Sequence, residues 1–259
     1  MQIPLYQVDA FTDNLFTGNP AAICILKDWL TDELMQKIAL ENNLSETAFI
    51  MQQAENEYAI RWFTINKEIP LCGHATLAAA FVIFTYLQPS LTQVVFHSKS
   101  GPLKVTKQAA RLCMDFPVIQ ADSVQLPAHL WAALPFKPQA CYQAYNCMLV
   151  YANEQQIDDF LPDYISWKPF PWHGLIITAP SKRYDFVSRF FVPERLGEDP
   201  VTGSAHCMLT PYWAKRLKKS YLHAKQLSAR GGELFCELKN DRVLLSGQVV
   251  PYLQGIISI

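Results

Sequence analysis

The chain has 259 residues, of which 50% are hydrophobic and 17% are charged, and its formal net charge is -1. This length predicts one large domain or two domains of about 130 residues, and the composition excludes a disordered or fibrous chain. Because Lys and Arg do not outnumber Asp and Glu, the charge balance argues against a dedicated nucleic-acid-binding protein. The sequence also lacks both familiar glycine-rich nucleotide-binding motifs.

The segment after Met1 has neither a basic region nor a long apolar run, so no signal peptide is indicated. The longest apolar run, residues 77–84, is far shorter than the roughly 20 residues of a membrane span. We therefore expect a soluble, cytoplasmic protein that binds neither membranes nor nucleic acid. The seven Cys are odd in number and form no C-x-x-C pair, and the His residues match no metal spacing. Buried thiols without a metal site are predicted.

The hydrophobic patterns predict helices and strands in the same coarse order in each half of the chain. In the first half we predict helices at 31–42, with Thr31 as N-cap, and at 75–86, and strands at 3–11, 48–53, 58–63, 93–97, 103–107 and 111–116. In the second half we predict helices at 128–134, 154–160 and 205–217, and strands at 174–179, 185–191, 226–230, 233–238 and 242–245.

The sequence contains an internal repeat. Residues 68–75 and 198–205 are identical at four of eight positions, and upstream of them stand Arg-Trp-Phe at 61–63 and Arg-Phe-Phe at 189–191. Two ordered matches at an offset of half the chain predict two domains of similar fold, joined near residues 115–117. We assign residues 1–116 to the first domain, with 249–259 as a candidate final strand, and 117–248 to the second.

The helix at 75–86 is apolar on every side, which is typical of a helix that is buried all round. In a soluble protein such a helix must be wrapped by sheet. The predicted architecture is therefore an α/β (α+β) fold with two pseudo-symmetric barrel-like domains, each a strand-rich shell around a central helix.

Gly73 and Gly203 each precede one of the repeated helices. The first backbone N–H groups of a helix lack intrahelical partners and, with the helix dipole, favour an anion. If the domains face each other about a pseudo-two-fold axis, both helix starts point into one cleft that would bind a small carboxylate. The alternative is that both loops are only tight turns, but the polar residues His74 and Ser204 at paired positions favour a binding role.

Glu46 is the best candidate for an acid/base, because it stands where a polar helix end meets an apolar strand. A partly desolvated carboxyl group there would have a raised pKa, although a Glu at a strand start is usually just exposed. Asp199 has a similar status and can also simply complement the helix dipole. We expect His206 and Cys207 to be core residues. Cys72 and His74 suggest a thiol nucleophile, but residues this close in sequence rarely point at one another.

The sequence resembles the phenazine-biosynthesis PhzF-like family. The segments that carry the resemblance are residues 8–12, 16–22, 44–49, 61–64, 71–78, 189–191 and 197–206. They are spread over most of the chain in the family's order. The last of them, Gly-Glu-Asp-Pro-Val-Thr-Gly-Ser-Ala-His, is highly specific to the family. The resemblance implies the diaminopimelate-epimerase-like fold, with the active site between the two domains.

The resemblance also implies a cofactor-independent isomerase in which a single glutamate moves a proton on a dihydro-hydroxyanthranilate. Carried over by position, Glu46 is the acid/base. His74, Asp199 and Ser204, with the backbone of Gly73 and Gly203, hold the substrate and its carboxylate, and Ser45 neighbours the site. We expect a small cyclic or amino-acid-like carboxylate as substrate, and a homodimer as the assembly.

Two alternatives remain open. A two-thiol epimerase or racemase of the same fold needs a Cys on each repeated loop, but the position paired with Cys72 is Thr202 and Cys207 lies one helical turn further along. A catalytically silent metabolite-binding protein would keep the pocket without turnover. The presence of Glu46, His74 and Asp199 together favours an enzyme.

Overall fold

The structure, a computed structural model, describes residues Met1–Ile259 and divides into two compact units. Unit 1 consists of Met1–Asp115 and Leu244–Ile259, and unit 2 consists of Phe116–Val243. The last strand of the chain therefore belongs to the same unit as the first. None of the helices has the length and apolar character that a membrane crossing requires.

Up to residue 117 the chain forms two α-helices and eight strands. They are β1 Gln2–Ala10, β2 Asn19–Leu26, α1 Asp32–Asn42, β3 Glu46–Ala54, β4 Glu57–Phe63, β5 Glu68–Ile69, α2 Gly73–Val82, β6 Gln93–Ser98, β7 Gly101–Gln108 and β8 Arg111–Pro117. A π-helical turn, Ile83–Leu87, continues α2.

The remainder of the chain forms three α-helices and ten strands. They are β9 Asp122–Ser123, α3 Ala128–Ala133, β10 Ala140–Gln143, β11 Cys147–Val150, α4 Glu154–Asp158, β12 Leu175–Pro180, β13 Phe186–Val192, β14 Gly197–Asp199, α5 Gly203–Leu217, β15 Tyr221–Gln226, β16 Gly232–Lys239, β17 Arg242–Gly247 and β18 Val249–Ser258.

The two units have the same strand topology. In unit 1, β1 is antiparallel to β2, β2 is parallel to β3, and β3 is antiparallel to β4. Strand β4 then pairs antiparallel with β5 and parallel with β6, which is antiparallel to β7. Strands β10 to β16 repeat every one of these orientations in unit 2. The sequence repeat therefore corresponds to a repeat of the whole strand pattern and not only of the two loops.

The central element of unit 1 is α2. Nearly every residue of this helix is buried, and it packs on β1, β2 and β3. Its alanines allow the strands to approach closely, while Leu77 and Val82 fill the core. The matching helix α5 packs on β15 and β16 in unit 2, but its last turn carries Lys215 and Arg216, so that end is not apolar.

Each unit contains the same half-buried ion pair. Arg61 makes two hydrogen bonds of 2.8 Å to the carboxylate of Glu68, and Arg189 makes matching bonds of 2.8 and 2.9 Å to Glu198. The bonds raise the pKa of Arg61 and hold the pKa of Glu68 below its usual value. Each Arg also lies over the Phe two residues further on. These bidentate pairs fix the loop that leads to each central helix.

Most predicted elements are present, and the predicted helix at 31–42 starts after its N-cap Thr31 as expected. The strand predicted at 226–230 is wrong: the strand ends at Gln226, and the following residues form a turn with Gly231 at φ +64°. The prediction missed β2, because a strand flanked by strands on both sides reads as a continuous apolar run rather than as an alternation. Both central helices start two residues earlier than predicted, at Gly73 and Gly203.

Candidate active site

Glu46 occupies the first position of β3. Helix α1 ends at Asn42, and its C-cap Asn43 turns the chain with a left-handed backbone. Strand β3 then pairs in parallel with β2, which places Glu46 opposite Ala21. Two parallel strands thus begin side by side, and both lie against α2. The Glu46 side chain is only 12% exposed, so its carboxyl group is largely removed from water.

His74 lies against this carboxyl group. It is the second residue of α2, and its Nε2 is 3.2 Å from Oε2 of Glu46. The orientation of the two groups departs from ideal hydrogen-bond geometry, which is common for acid/base pairs without substrate. Burial lowers the pKa of His74 to about 3, although a hydrogen bond to the Pro20 carbonyl opposes this shift. The imidazole is therefore neutral at physiological pH.

The opposite edge of the imidazole contacts a thiol. Nδ1 of His74 lies 3.5 Å from Sγ of Cys72, within hydrogen-bonding range for sulfur. The expectation that these two residues would not point at one another is therefore wrong. Cys72 is the N-cap of α2 with an extended backbone, which turns its side chain toward the first helical turn. Glu46, His74 and Cys72 consequently form a chain of three buried groups.

A neutral imidazole can accommodate both protonation states of Glu46. With its proton on Nε2, His74 donates to an ionised Glu46 and its Nδ1 can accept from the Cys72 thiol. With its proton on Nδ1, it presents a lone pair to a protonated Glu46. The choice of tautomer follows the hydrogen-bond partners. The arrangement thus suits a carboxyl group that gains and loses a proton while its neighbour stays uncharged.

Glu46, His74 and Cys72 also lie close enough together to be considered as metal ligands, because one ligand atom from each lies within 4.8 Å of the other two. A bound zinc ion needs nitrogen and sulfur ligands about 2.0–2.3 Å from it. It would use one imidazole nitrogen, whereas here Nε2 faces Glu46 and Nδ1 faces Cys72. The geometry favours a chain of polar contacts through the ring over a metal site.

The predicted residues of unit 2 lie on the loop before α5. The Thr202 hydroxyl donates to the carboxylate of Asp199, which is half-buried at the end of β14. Gly203 is buried at the first helical position, and Ser204 follows it as an exposed residue of the first turn. Asp199, Gly203 and Ser204 are thus brought to one helix start, as Glu46, Gly73 and His74 are in unit 1.

Two residues that hold the unit 2 loop were missed by the sequence analysis. The fully buried Gln226 donates to the carbonyl of Asp199 at 2.8 Å and accepts from the N–H of Thr202 at 2.9 Å. Ser228 donates to the carbonyl of Pro200 at 2.7 Å. The Ser228 contact has a copy in unit 1, where Ser100 donates to the carbonyl of Pro70 at 2.8 Å.

Both helix starts lack a side-chain cap. Neither the Cys72 nor the Thr202 side chain accepts a capping hydrogen bond from a backbone N–H of the helix that it precedes. Such uncapped N–H groups keep their capacity to bind an anion. Ser45, predicted as a neighbour of the site, is half-buried directly before Glu46.

Unit 2 also contains a groove of about 470 Å³ that holds none of the predicted site residues. Its lining includes Tyr142, Met208, Tyr212 and Lys215. The groove lacks a carboxyl or imidazole group, the side chains most often used in acid/base catalysis, and the Glu46 cluster remains the candidate active site.

The family model described as "Phenazine biosynthesis-like protein" matches residues 8–255. The chain belongs to this family. It is 46% identical to an isomerase of Pseudomonas aeruginosa, named as uncharacterized, over the whole of both chains. A crystal structure of a phenazine biosynthesis protein PhzF family member from Enterococcus faecalis is 44% identical, with a TM-score of 0.96 and full coverage of both chains. The predicted family is therefore confirmed.

A more distant likeness concerns the fold alone. A hydroxyproline epimerase from Agrobacterium vitis superposes with a TM-score of 0.65 at 9% identity, covering 99% of this chain and 92% of that one. The predicted mixed α/β, epimerase-like fold is confirmed by these structures. The names of the full-length relatives agree with the predicted class of enzyme, an isomerase.

Proposed function

We propose that the chain is an isomerase that moves a proton on a small cyclic or amino-acid-like carboxylate by one-base catalysis, with Glu46 as the acid/base. The observation that carries the proposal is the buried contact of 3.2 Å between Glu46 and a His74 that is neutral at physiological pH. A carboxyl group in this setting can take a proton from one carbon and return it to another, and the reaction needs no cofactor.

His74 is proposed to orient Glu46 rather than to act as a second acid. Because its pKa is about 3, His74 is not in its cationic form near neutral pH and cannot act as a cationic acid. It stays uncharged beside the carboxyl group in either protonation state of that group. One titrating group, held by one neutral partner, is the minimum that a proton shuttle requires.

The uncapped N–H groups at the start of α2 are proposed to bind the substrate carboxylate, and those at the start of α5 are proposed as a second anion-binding group. Gly73 and Gly203 supply the first of these groups in each helix. Asp199 and Ser204, on the unit 2 loop, are proposed to contact polar groups of the substrate, with Thr202 and Gln226 fixing the position of Asp199. Ser45 is proposed as a neighbour of the site.

The second candidate function is a two-thiol epimerase, favoured by the contact between Cys72 and His74. That chemistry needs a second reactive thiol, and the paired position holds Thr202. Cys207, the nearest Cys along α5, is buried, and burial raises its pKa to about 12. A thiol with this pKa stays protonated near neutral pH and is a poor base, so the one-base reaction is better supported.

The test begins with a thermal-shift screen of cyclic amino acids and anthranilate-like carboxylates, followed by turnover of each hit in D₂O. A one-base enzyme whose site is shielded from water returns the original proton to a fraction of the product molecules. A two-thiol enzyme delivers a solvent deuteron on the opposite face. Full solvent deuterium in the product of the forward reaction, together with full activity of Glu46→Gln, would reject the proposal.

A further inference from the structure

The groove of about 470 Å³ in unit 2 is formed by α5, by strands β10 and β11, and by the segment 119–121. This volume lies within the range of small-molecule sites, about 300–1,000 Å³. The helix contributes Met208, Pro211, Tyr212 and Lys215. Because residues at i, i+3, i+4 and i+7 share one side of a helix, these four side chains form a continuous stripe along the groove.

The groove exists because the two units differ at one sheet edge. In unit 1, β18 pairs with the whole of β1, from Gln2 to Ala10, and also contacts α2. The counterpart of β18 in unit 2 is β9, which pairs with β10 only at Tyr142 and Gln143. The residues before β9 run along α5 instead and form one wall of the groove. An edge that is covered in unit 1 is therefore open in unit 2.

Pro211 explains how this wall is held. Proline has no N–H group, so the carbonyl of Cys207, four residues earlier, lacks its usual donor within the helix. The N–H of Ile119 donates to that carbonyl at 3.0 Å. The N–H of the preceding residue, Val118, donates to the carbonyl of Asp241 at 2.9 Å. The wall is bonded to two different elements, so the groove is preformed.

The lining offers aromatic and thioether surface to a flat ring. The rings of Tyr142 and Tyr212 have their centroids 5.3 Å apart and are inclined at 58° to each other. Met148 and Met208, both buried, add their side chains to the lining. Aromatic rings pack favourably against tilted aromatic neighbours and against methionine sulfur. The groove therefore suits a ligand with an aromatic ring.

The charge of the lining is positive. It includes Lys215 and Arg216 but no Asp or Glu. Lys215 is exposed and has no acidic partner, whereas Lys219, four residues later, pairs with Asp185. Arg216 donates from Nη1 to the hydroxyl oxygen of Tyr212 at 3.0 Å, which uses one of its five N–H donors. Two cations beside an aromatic lining complement an anionic ligand.

We propose that this groove binds an aromatic carboxylate. Its ring packs between Tyr142 and Tyr212, and its carboxylate lies at Lys215 and Arg216. The two cations belong to the last turn of α5, where the helix dipole contributes about half a negative charge. That dipole offsets part of the positive charge and opposes a doubly charged phosphate, so a singly charged carboxylate is favoured. At 1.5 Å per residue, Lys215 lies about 18 Å along the helix from Gly203, and the groove is separate from the anion site proposed there.

The probe for this site is 2-naphthoate, followed by calorimetry and by ¹⁵N–¹H NMR of the whole chain. Saturable binding is expected to shift the amide signals of Gln120, Tyr212 and Lys215. 2-Naphthamide, which has the same rings without the charge, should bind at least about tenfold more weakly, and acetate should not bind measurably. Shifts confined to Gly73 and Gly203 would put the probe at the proposed isomerase site and overturn the groove proposal without affecting the proposed function.

Variants test the two parts of the groove separately. Replacing both cations, Lys215→Gln with Arg216→Gln, is expected to weaken 2-naphthoate binding about tenfold or more. Lys218→Gln is the matched control, because it removes an exposed cation from the same helix end but not from the lining, and it should bind as the wild type does. Tyr142→Leu should weaken binding about threefold or more, whereas Tyr145→Leu, at an exposed position of the same hairpin, should not.

All of the substituted side chains are exposed or half-buried, so the variants are expected to fold, and their NMR spectra report this directly. Equal affinities of the double variant and Lys218→Gln would overturn the proposal. Equal affinities of 2-naphthoate and 2-naphthamide, or no saturable binding at millimolar concentration, would do the same.

Discussion

Oε2 of Glu46 lies 3.2 Å from Nε2 of His74, and both side chains are nearly excluded from water. A carboxyl group in contact with a neutral imidazole can change its protonation state without leaving a buried cation behind. The reaction proposed for this site requires such a change in every turnover.

The first prediction concerns Glu46→Gln. The amide keeps the shape and the contact with His74 but cannot accept a substrate proton, so kcat should fall by about 10²–10⁴-fold while substrate binding changes by less than about tenfold. Steady-state kinetics and calorimetric binding measure the two effects. Glu41→Gln, on an exposed position of α1, is the matched control and should keep wild-type activity. A Glu46→Gln enzyme with near-wild-type kcat would show that another group moves the proton.

The second prediction separates the one-base reaction from the two-thiol reaction. In the first, Cys72 only hydrogen-bonds to His74, so Cys72→Ala should retain activity within about tenfold of wild type. Cys72→Ser, which preserves a hydrogen-bond donor for Nδ1, should recover part of any loss. A loss of about a thousandfold or more in Cys72→Ala, the scale expected when a base is removed, would restore the two-thiol mechanism.

The third prediction tests the carboxylate site at the start of α2. Proline fits the first helical position but lacks an N–H group, so Gly73→Pro removes one proposed hydrogen bond with little strain on the helix. A hydrogen bond to a charged group contributes about 1.5–3 kcal/mol, so KM should rise by tenfold or more. Gly73→Ala, which keeps the N–H group, controls for added bulk. Equal KM values for the two variants would place the substrate carboxylate elsewhere.

The fourth prediction concerns stability against pH. Burial lowers the pKa of His206 to about 4 and that of His74 to about 3, while both would titrate near 6.5 in the unfolded chain. The unfolded state therefore binds more protons below pH 6.5. The free energy of unfolding therefore keeps its full value above that pH and decreases as the pH falls toward the folded pKa values. Lowering the pH from 7 to 5 should reduce the free energy of unfolding by about 2 kcal/mol for each of the two His residues.

His206→Asn tests this assignment without touching the candidate active site in unit 1. Nδ1 of His206 contacts the carbonyl of Thr202 at 2.8 Å, and the amide of Asn can donate a similar bond. Urea unfolding gives the loss of unfolding free energy between pH 7 and pH 5. This loss should be about 2 kcal/mol smaller in the variant than in the wild-type protein. An unchanged difference would mean that His206 titrates alike in the folded and unfolded chains.

The sequence by itself determined the elements that depend on neighbouring residues. Local patterns predict the N-cap at Thr31 and the all-apolar helix α2, and the structure contains both. The repeat was visible in the sequence because both copies form the same loop, which leads into a helix that begins at Gly73 or at Gly203. The family followed from motifs that are contiguous in the chain.

Only the tertiary structure decided the relationships between residues that are distant in sequence. Glu46 meets His74 because two parallel strands and α2 begin at the same place, and no local pattern encodes that convergence. Gln226 looks like a surface residue in the sequence, yet it is fully buried because it satisfies the backbone of the Asp199 loop. Even Cys72 and His74, two residues apart, required the extended backbone at the N-cap to bring thiol and imidazole together. Burial and hydrogen bonding of this kind depend on what packs against a residue, which its neighbours in the chain do not specify.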